Sequence, residues 1–524
     1  MNSLTQLKNM LRFSLILILL SVLLFSDTIA QEPRLLTFED LAGITIQNSF
    51  TIKNVELNLM RRYFGYNAAL AGLKSRVDLQ LTAPEFNQQA TEQYNSETQL
   101  SDFYDTKTEK YEAELSITQP FRTNGRLSAN MNMDRFRQSD SDTDYTTRMF
   151  FRLDQPVFTS NELKRNIYET QLRLESAKIE YVRSRVFLIY GSGIVRGDFG
   201  GGRSRNTLSH YFYSLYEANR LQELNTANAE IINGLRDIAV QKYNAQEISE
   251  REFLQFEVEL NNSQDRVYSS DTDKDKAKRA LIQFTGLDPE EDFIIPDYLE
   301  YTPINIDEEF AVREGLRNNT GIRDIKIEIE EDSLEIEDVK SQREFRGNLS
   351  GTLGLDKTAQ NFSNQFNEFD QSQSFDLTFF APVWDWGRNG FRVESAEIQL
   401  EVKKRDLEND ISDTERQVLA NLYTINNMKK RIEIVSQARK ISEKVLRIAT
   451  DEFREGKISA EDVLLTVNKN YEAEVEYLKL IVDYKNSLVR LANQTQYDFE
   501  KGIRIRDEIE KMIDTIIEEN RQRN

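Results

Sequence analysis

The chain carries one long composite pattern twice, and each copy runs strand-type sequence directly into helix-type sequence. In the first copy an alternating segment ends Gln155-Pro156-Val157-Phe158-Thr159, and a helical stretch follows. In the second it ends Ala381-Pro382-Val383-Trp384-Asp385-Trp386-Gly387-Arg388, again followed by a helical stretch. Tyr243-Asn244-Ala245-Gln246-Glu247-Ile248-Ser249 recurs as Phe453-Arg454-Glu455-Gly456-Lys457-Ile458-Ser459. A chain with internal repeats is built from copies of one unit, so the fold is read from the repeat. Here the unit is a β-ribbon attached to a very long helical hairpin.

The strands show as alternation. Phe345, Gly347, Leu349, Gly351, Leu353 and Leu355 are apolar or small, with Arg346, Asn348, Ser350 and Thr352 between them. Phe375, Leu377 and Phe379 alternate with Ser374, Asp376 and Thr378; Leu127, Ala129, Met131 and Met133 alternate with Ser128, Asn130 and Asn132; Met149, Phe151 and Leu153 alternate with Arg148, Arg152 and Asp154. Alternation over roughly 10 positions describes a strand with lipid on one side and water on the other. A half-buried strand of a soluble sandwich gives the same pattern. Two further runs, Val77 to Leu81 and Tyr111 to Phe121, alternate without an equally clear counterpart in the second half.

The helices show as spacings of three, four and seven. Leu400, Leu407, Ile411, Val418, Leu422, Ile425 and Ile432 run towards Gly456, and Leu464, Val467, Tyr471, Leu478, Ile481 and Leu488 return from it. Such spacing among Lys and Glu describes a coiled-coil-like stripe. The 71 residues from Pro382 to Phe453 would make about 105 Å of helix at roughly 1.5 Å per residue, a reach on the scale of the periplasm. The corresponding span from Pro156 to Tyr243 is 87 residues, and the excess coincides with a glycine-rich stretch between Gly191 and Gly202. Glycine runs do not sustain a helix, so residues 191–209 are expected as a looped-out insert.

Composition excludes whole classes of function. Only 39% of the 524 residues are hydrophobic and 30% are charged, too polar for one compact core and suited to thin helices with a narrow apolar stripe. Without cysteine, and with His210 as the sole histidine, the chain has no thiolate site, histidine metal cluster or catalytic triad. Its carboxylates are spread along solvated helix faces, so neither an enzyme nor a cofactor or metal site is expected. Residues 1–30 read as a signal peptide: Lys8 and Arg12, an apolar run from Phe13 to Phe25, then Thr28-Ile29-Ala30. Removing them takes the net charge from −21 to −22, which argues against nucleic acid as a partner. No other stretch is apolar for long enough to be a membrane helix, so membrane entry would need strands closed into a barrel.

With these features the chain resembles the TolC-like outer-membrane efflux proteins over nearly its whole mature length. Leu36-Thr37-Phe38-Glu39-Asp40, echoed by Asp307-Glu308-Glu309-Phe310, resembles the family's opening helix in each repeat. The Pro-Val-aromatic segments resemble its strand-to-helix junctions, the turns at Gln246 and Gly456 its hairpin tips, and Ala280 to Asp288 the end of a returning helix. The resemblance implies an α+β membrane protein: a homotrimer whose protomers each add four strands to a shared transmembrane β-barrel and two hairpins to a periplasmic α-helical barrel. It implies outer-membrane lipid, a periplasmic adaptor and an inner-membrane pump as partners, and the outer membrane of a Gram-negative bacterium as location.

The family's gate lies at the tips, where acidic side chains converge near the threefold axis. Asp462 occupies the matching position, Glu461 lies beside it, and Glu252 is the first-half analogue. Carboxylates meeting at a symmetry axis raise one another's pKa and attract cations; a solvated helix-start residue favoured by the helix dipole is the plainer alternative. The next acidic position of the family reads Leu465 here. Adaptor docking is implied at Tyr243, Gln246, Ser249, Phe453, Gly456 and Ser459. Gln246 replaces the turn glycine, so it either avoids a left-handed backbone or the turn differs in shape.

The expected organisation is a signal peptide (1–30), a first repeat (31–302, strands about 110–158, hairpin about 160–285), a second repeat (303–497, strands about 345–384, hairpin about 387–493) and a charged C-terminal tail (498–524). The functional expectation is an exit duct for efflux or secretion. An exported coiled-coil structural or adhesion protein without a pore is the alternative.

Overall fold

The computed structural model describes residues 34–95, 99–138, 142–191, 207–342 and 344–522. The expected signal peptide and most of the glycine-rich insert lie outside the described residues. In chain order the elements are β1 (Arg34–Leu35), α1 (Phe38–Asn48), α2 (Phe50–Ala71), β2 (Arg76–Asn95), β3 (Leu100–Pro120), β4 (Arg126–Gln138), β5 (Asp144–Val157), α3 (Glu162–Tyr190), α4 (Leu208–Asn244), α5 (Glu250–Thr285), β6 (Phe293–Ile294), α6 (Glu308–Asn318), α7 (Thr320–Ser341), β7 (Arg346–Ala359), β8 (Asp370–Phe380), α8 (Arg388–Arg454), α9 (Ala460–Thr495), β9 (Tyr497–Asp498), β10 (Ile503–Arg504) and α10 (Ile505–Gln522). The chain divides into two compact units. One takes the chain up to Phe50, Val186–Ile306 and Asn421–Asn493; the other takes Thr51–Arg185, Asp307–Ala420 and Gln494–Asn524.

The second unit holds an antiparallel six-stranded sheet of order β2-β3-β4-β5-β7-β8. Beside the four expected strands the sheet holds two more, β2 and β3, and it begins at Arg76 rather than near residue 110. The alternating runs Val77–Leu81 and Tyr111–Phe121 are therefore part of it. Register places the apolar positions in rows, such as Val77, Ile117, Ala129, Phe151 and Leu353, or Leu79, Leu115, Met131, Met149 and Leu355. Successive residues point to opposite faces, so one face is apolar. It is also open: Phe151 is 63% and Leu353 64% exposed. The other face is polar, with Arg126 and Arg152 both paired to Asp154. Where the strands meet the helices, Phe345 stacks on Phe379 at 4.8 Å and lies tilted 5.9 Å from Phe158, and further along the chain Trp384 and Trp386 are exposed and pack edge-on against each other. Such aromatic girdles mark the edge of a lipid-facing band. Gly347 pairs across the strands with Phe379, and a Cβ there would meet Val157 at 2.6 Å and the Phe379 ring at 3.1 Å; the ring covers the place a side chain would fill.

The helical expectations rest on burial. Val418, Leu422, Ile425 and Ile432 of α8 and Val467, Ile481 and Leu491 of α9 are all nearly inaccessible. Narrow stripes of this kind are enough to hold thin helices against one another. Helix α8 runs 67 residues without a break. No described helix is long and apolar enough to cross a membrane.

Each opening helix is fixed at both ends. Thr37 and Asp40 form a reciprocal capping box at the start of α1, and Asp307 accepts from the Phe310 N–H at 2.6 Å at the start of α6. At the far end of α1, Asn48 donates to the carbonyls of Thr285 and Gly286, where α5 stops. Asn318 likewise donates to the Thr495 carbonyl, where α9 stops. A side-chain amide thus satisfies carbonyls that a helix end leaves without partners.

Residues 207–209, expected within the insert, cap and begin α4 instead. Thr207 caps α4 by accepting from the His210 N–H, and Leu208 and Ser209 are already buried helix. A Cβ on Gly191 would lie 2.9 Å from the Thr207 methyl, so the chain leaves and re-enters at one point. Removing 192–206 should therefore leave thermal stability within about 1 kcal/mol, since the described residues on either side, Gly191 and Thr207, already meet. Removing 191–209 should cost more, because the cap and a buried leucine go with it, roughly 2–4 kcal/mol. Thermal melts of the two deletions check this.

The C-terminal tail is folded. Phe310 packs edge-on against Tyr497 at 5.1 Å, and Ile505, Ile509 and Ile513 bury one face of α10. Arg504 makes two hydrogen bonds of 2.9 Å to Glu314, which is 2% exposed and also accepts from Asn318 at 3.2 Å.

Candidate channel entrance at the hairpin tips

The two tips lie together in the first unit and share one core: Ile232, Leu235, Ala239 and Phe256 with Leu446, Ala449, Phe453, Ala460, Val463 and Val467. Phe256 and Phe453 face each other at 5.2 Å. Both turns have the same backbone. In the first, the Glu247 N–H reaches the Lys242 carbonyl at 2.8 Å and Gln246 N–H the Tyr243 carbonyl at 2.9 Å. In the second, the Lys457 N–H reaches Glu452 at 2.8 Å and Gly456 N–H reaches Phe453 at 3.1 Å. These paired bonds close a helix when the residue between them is left-handed. Gly456 has φ +76° and Gln246 φ +61°. The turn therefore keeps its shape, and Gln246 does adopt the left-handed backbone, against both alternatives expected for it. Gln246→Gly should raise stability by about 1 kcal/mol, because a Cβ is disfavoured in that conformation. A denaturant midpoint unchanged by the substitution would show that the residue is not strained.

The acidic residues begin the returning helices. Ser249 donates its N–H and hydroxyl to Glu252 at 2.8 and 2.7 Å, and the Glu252 N–H donates back to the hydroxyl at 3.2 Å. Ser459 and Asp462 repeat the arrangement at 3.3, 2.7 and 3.2 Å. Both are capping boxes, which satisfy helix donors reciprocally. The bonds from Ser249, backbone first and hydroxyl second, hold the Glu252 carboxyl below the usual carboxylate range. Asp462 and Glu461 are exposed, and so is Leu465, at 52%. Glu252, half-buried, and Asp462, exposed, thus each have a capping partner at the start of a returning helix.

Of the expected docking residues, Gln246, Ser249, Gly456, Ser459 and Tyr243 are exposed, Tyr243 with its ring stacked 5.3 Å from Phe253. Phe453 is not: it is 1% exposed and belongs to the tip core, where it supports the surface without forming it. Sequence reasoning does not find Lys242. Its Nζ lies 2.9 Å from Glu247 Oε2, 5.9 Å from the Phe453 ring centre and 3.6 Å from where a Cβ on Gly456 would sit. It ties one tip beneath the other, and nothing in the pattern separates it from solvated lysines.

Residues 345–495 match the family model described as outer membrane efflux protein. The chain carries an outer membrane efflux protein domain. The match supports a location at the outer membrane and a role in efflux. Solved structures with the same fold include the Campylobacter jejuni outer membrane channel CmeC (TM-score 0.61, 12% identity, 90% of this chain and 89% of that one). The Vibrio cholerae outer membrane protein VceC (0.61, 14%, 88% and 96%) and the Neisseria gonorrhoeae outer membrane channel MtrE in its open state (0.56, 12%, 87% and 88%) are also similar. No curated protein matches the chain by sequence.

Proposed function

We propose that three copies of this efflux protein form one passive duct, with the sheets closed into a barrel in the outer membrane and the hairpins enclosing a periplasmic tunnel. A periplasmic adaptor docks on the exposed tip residues, and an energised inner-membrane pump delivers the cargo. Asp462, Glu461 and Glu252 form the acidic entrance. The carrying observation is the sheet with one open apolar face and one polar face, since a pore wall must meet lipid on one side and water on the other. A coiled-coil adhesion rod has no use for such a sheet. The acidic entrance is supported by the capping boxes, which hold half-buried Glu252 and exposed Asp462 at fixed positions at the tip.

Outer membranes extracted in mild detergent should yield a species that migrates as a trimer and falls to a monomer on heating. Recovery only as a soluble monomer would refute the duct.

A further inference from the structure

The six-stranded sheet has two open margins within one chain, β2 and β8. We infer that in the trimeric duct proposed above β8 of each copy pairs with β2 of the next, so that the barrel wall has eighteen strands rather than twelve. Barrel diameter grows roughly linearly with strand number, so this wall is about half again as wide as one with four strands per chain.

Three observations carry it. Six alternating strands leave β2 and β8 running in opposite directions, so a joint between copies is antiparallel like the five joints inside the chain. The β2–β3 pair also belongs to the lipid layer: Val77, Leu79 and Leu81 lie in register with the apolar positions of the inner strands and are 64–69% exposed. A soluble flap would have no reason to carry them. Lipid leaves no partner for open backbone groups, so both margins must be paired, and six strands fall below the roughly eight of the smallest membrane barrels.

The edge is also shaped for this joint. From Arg76 to Thr82 strand β2 is free of proline, and the register then shifts between Thr82 and Glu85, around Pro84. Proline and bulges are devices that end pairing at an edge. Beyond the shift the regular apolar alternation stops, and from Gln88, past the end of β4, β2 and β3 continue as a largely polar two-stranded ribbon. The joint is thus confined to the apolar band. Barrels of 16 to 18 strands leave a water-filled channel, so filtering falls to the hairpin tips and the membrane segment passes whatever they admit.

The chain has no cysteine, so introduced thiols are the only ones present. Thr378→Cys or Asp376→Cys on β8 is combined with Arg76→Cys, Asp78→Cys or Gln80→Cys on β2, or with Ser128→Cys, Asn130→Cys or Asn132→Cys on β4. All lie on the polar face, and a water-soluble oxidant is applied to outer membranes. A disulfide needs Cβ atoms within about 4.5 Å, so only neighbouring strands link. The expected result is inter-chain linkage of β8 to β2 at least tenfold above any β8–β4 pair. Linkage of β8 to β4 means a twelve-stranded wall with the β2–β3 pair set aside, and overturns the inference. Heat-sensitive trimers in which no pair links overturn it equally. Loss of the trimer already in the unmodified protein strikes the duct itself, a separate failure.

Discussion

Arginine at Phe151 should abolish assembly of the membrane sheet, whereas arginine at Asn348 should leave it intact. Phe151 lies opposite Leu353 in the middle of the apolar rows, and its ring is open to the surroundings. A cation there costs about 2–4 kcal/mol near the midplane of a bilayer, in every copy of the assembly. Leu349 and Phe379 lie closer to the aromatic girdle, so arginine should cost progressively less at each. Asn348 pairs with Thr378 on the polar face, where arginine should be tolerated at either position. The yield of heat-sensitive trimers in outer membranes gives the measure. Equal damage on both faces would show that neither meets lipid.

Breaking the Arg504–Glu314 pair should be the most damaging change outside the membrane. Glu314 is buried, and without Arg504 its charge is left to the Asn318 amide and the charge of Arg317. The loss from Arg504→Leu should be about 2–3 kcal/mol, below the figure for a wholly buried pair because the guanidinium is about a third exposed. Release of α10 to proteolysis is the visible consequence. The pair also sets a pH dependence: Arg504, ahead of all other causes, holds the Glu314 carboxyl below its ordinary value of 4.5. A depressed carboxylate stabilises fully above that ordinary value, and the contribution is lost as pH falls through the lower, folded one. The tail should therefore loosen on acidification below about pH 4.5, and Glu314→Gln should remove that dependence. A tail that resists protease at every pH in Arg504→Leu would show that the isoleucine face of α10 suffices alone.

Four strands and both long hairpins are legible because their periods are regular. Leu349 to Leu355 alternates without interruption, and Val418, Leu422 and Ile425 step as a buried helix face must. The β2–β3 pair is not legible to the same degree. Only Val77 to Leu81 alternates in β2, and beyond Pro84 the residues are mostly polar, with only Phe86, Ala90 and Tyr94 apolar or aromatic. Its membership depends on pairing Arg76 with Thr118 across 42 positions, a non-local fact. The tail hides differently: Ile505, Ile509 and Ile513 have helical spacing, but the surrounding charge reads as solvated. Gln246 shows a further limit, since residue type disfavours a left-handed backbone that the paired turn bonds nonetheless enforce. At the tips, the capping partners of Glu252 and Asp462 follow from Ser at one position and an acid three residues on. Convergence of the acids around an axis involves several copies, which a single chain does not spell out.

The conducting duct is tested most directly by recording purified trimers in planar bilayers. The expected result is discrete steps that favour cations, blocked by trivalent cations added from the side of the tips. Asp462→Asn combined with Glu252→Gln should weaken that block, while the amide oxygens can still accept the capping bonds. Trimers that insert into the bilayer and conduct nothing would contradict the duct, and an unchanged block in the double mutant would take the entrance away from these carboxylates.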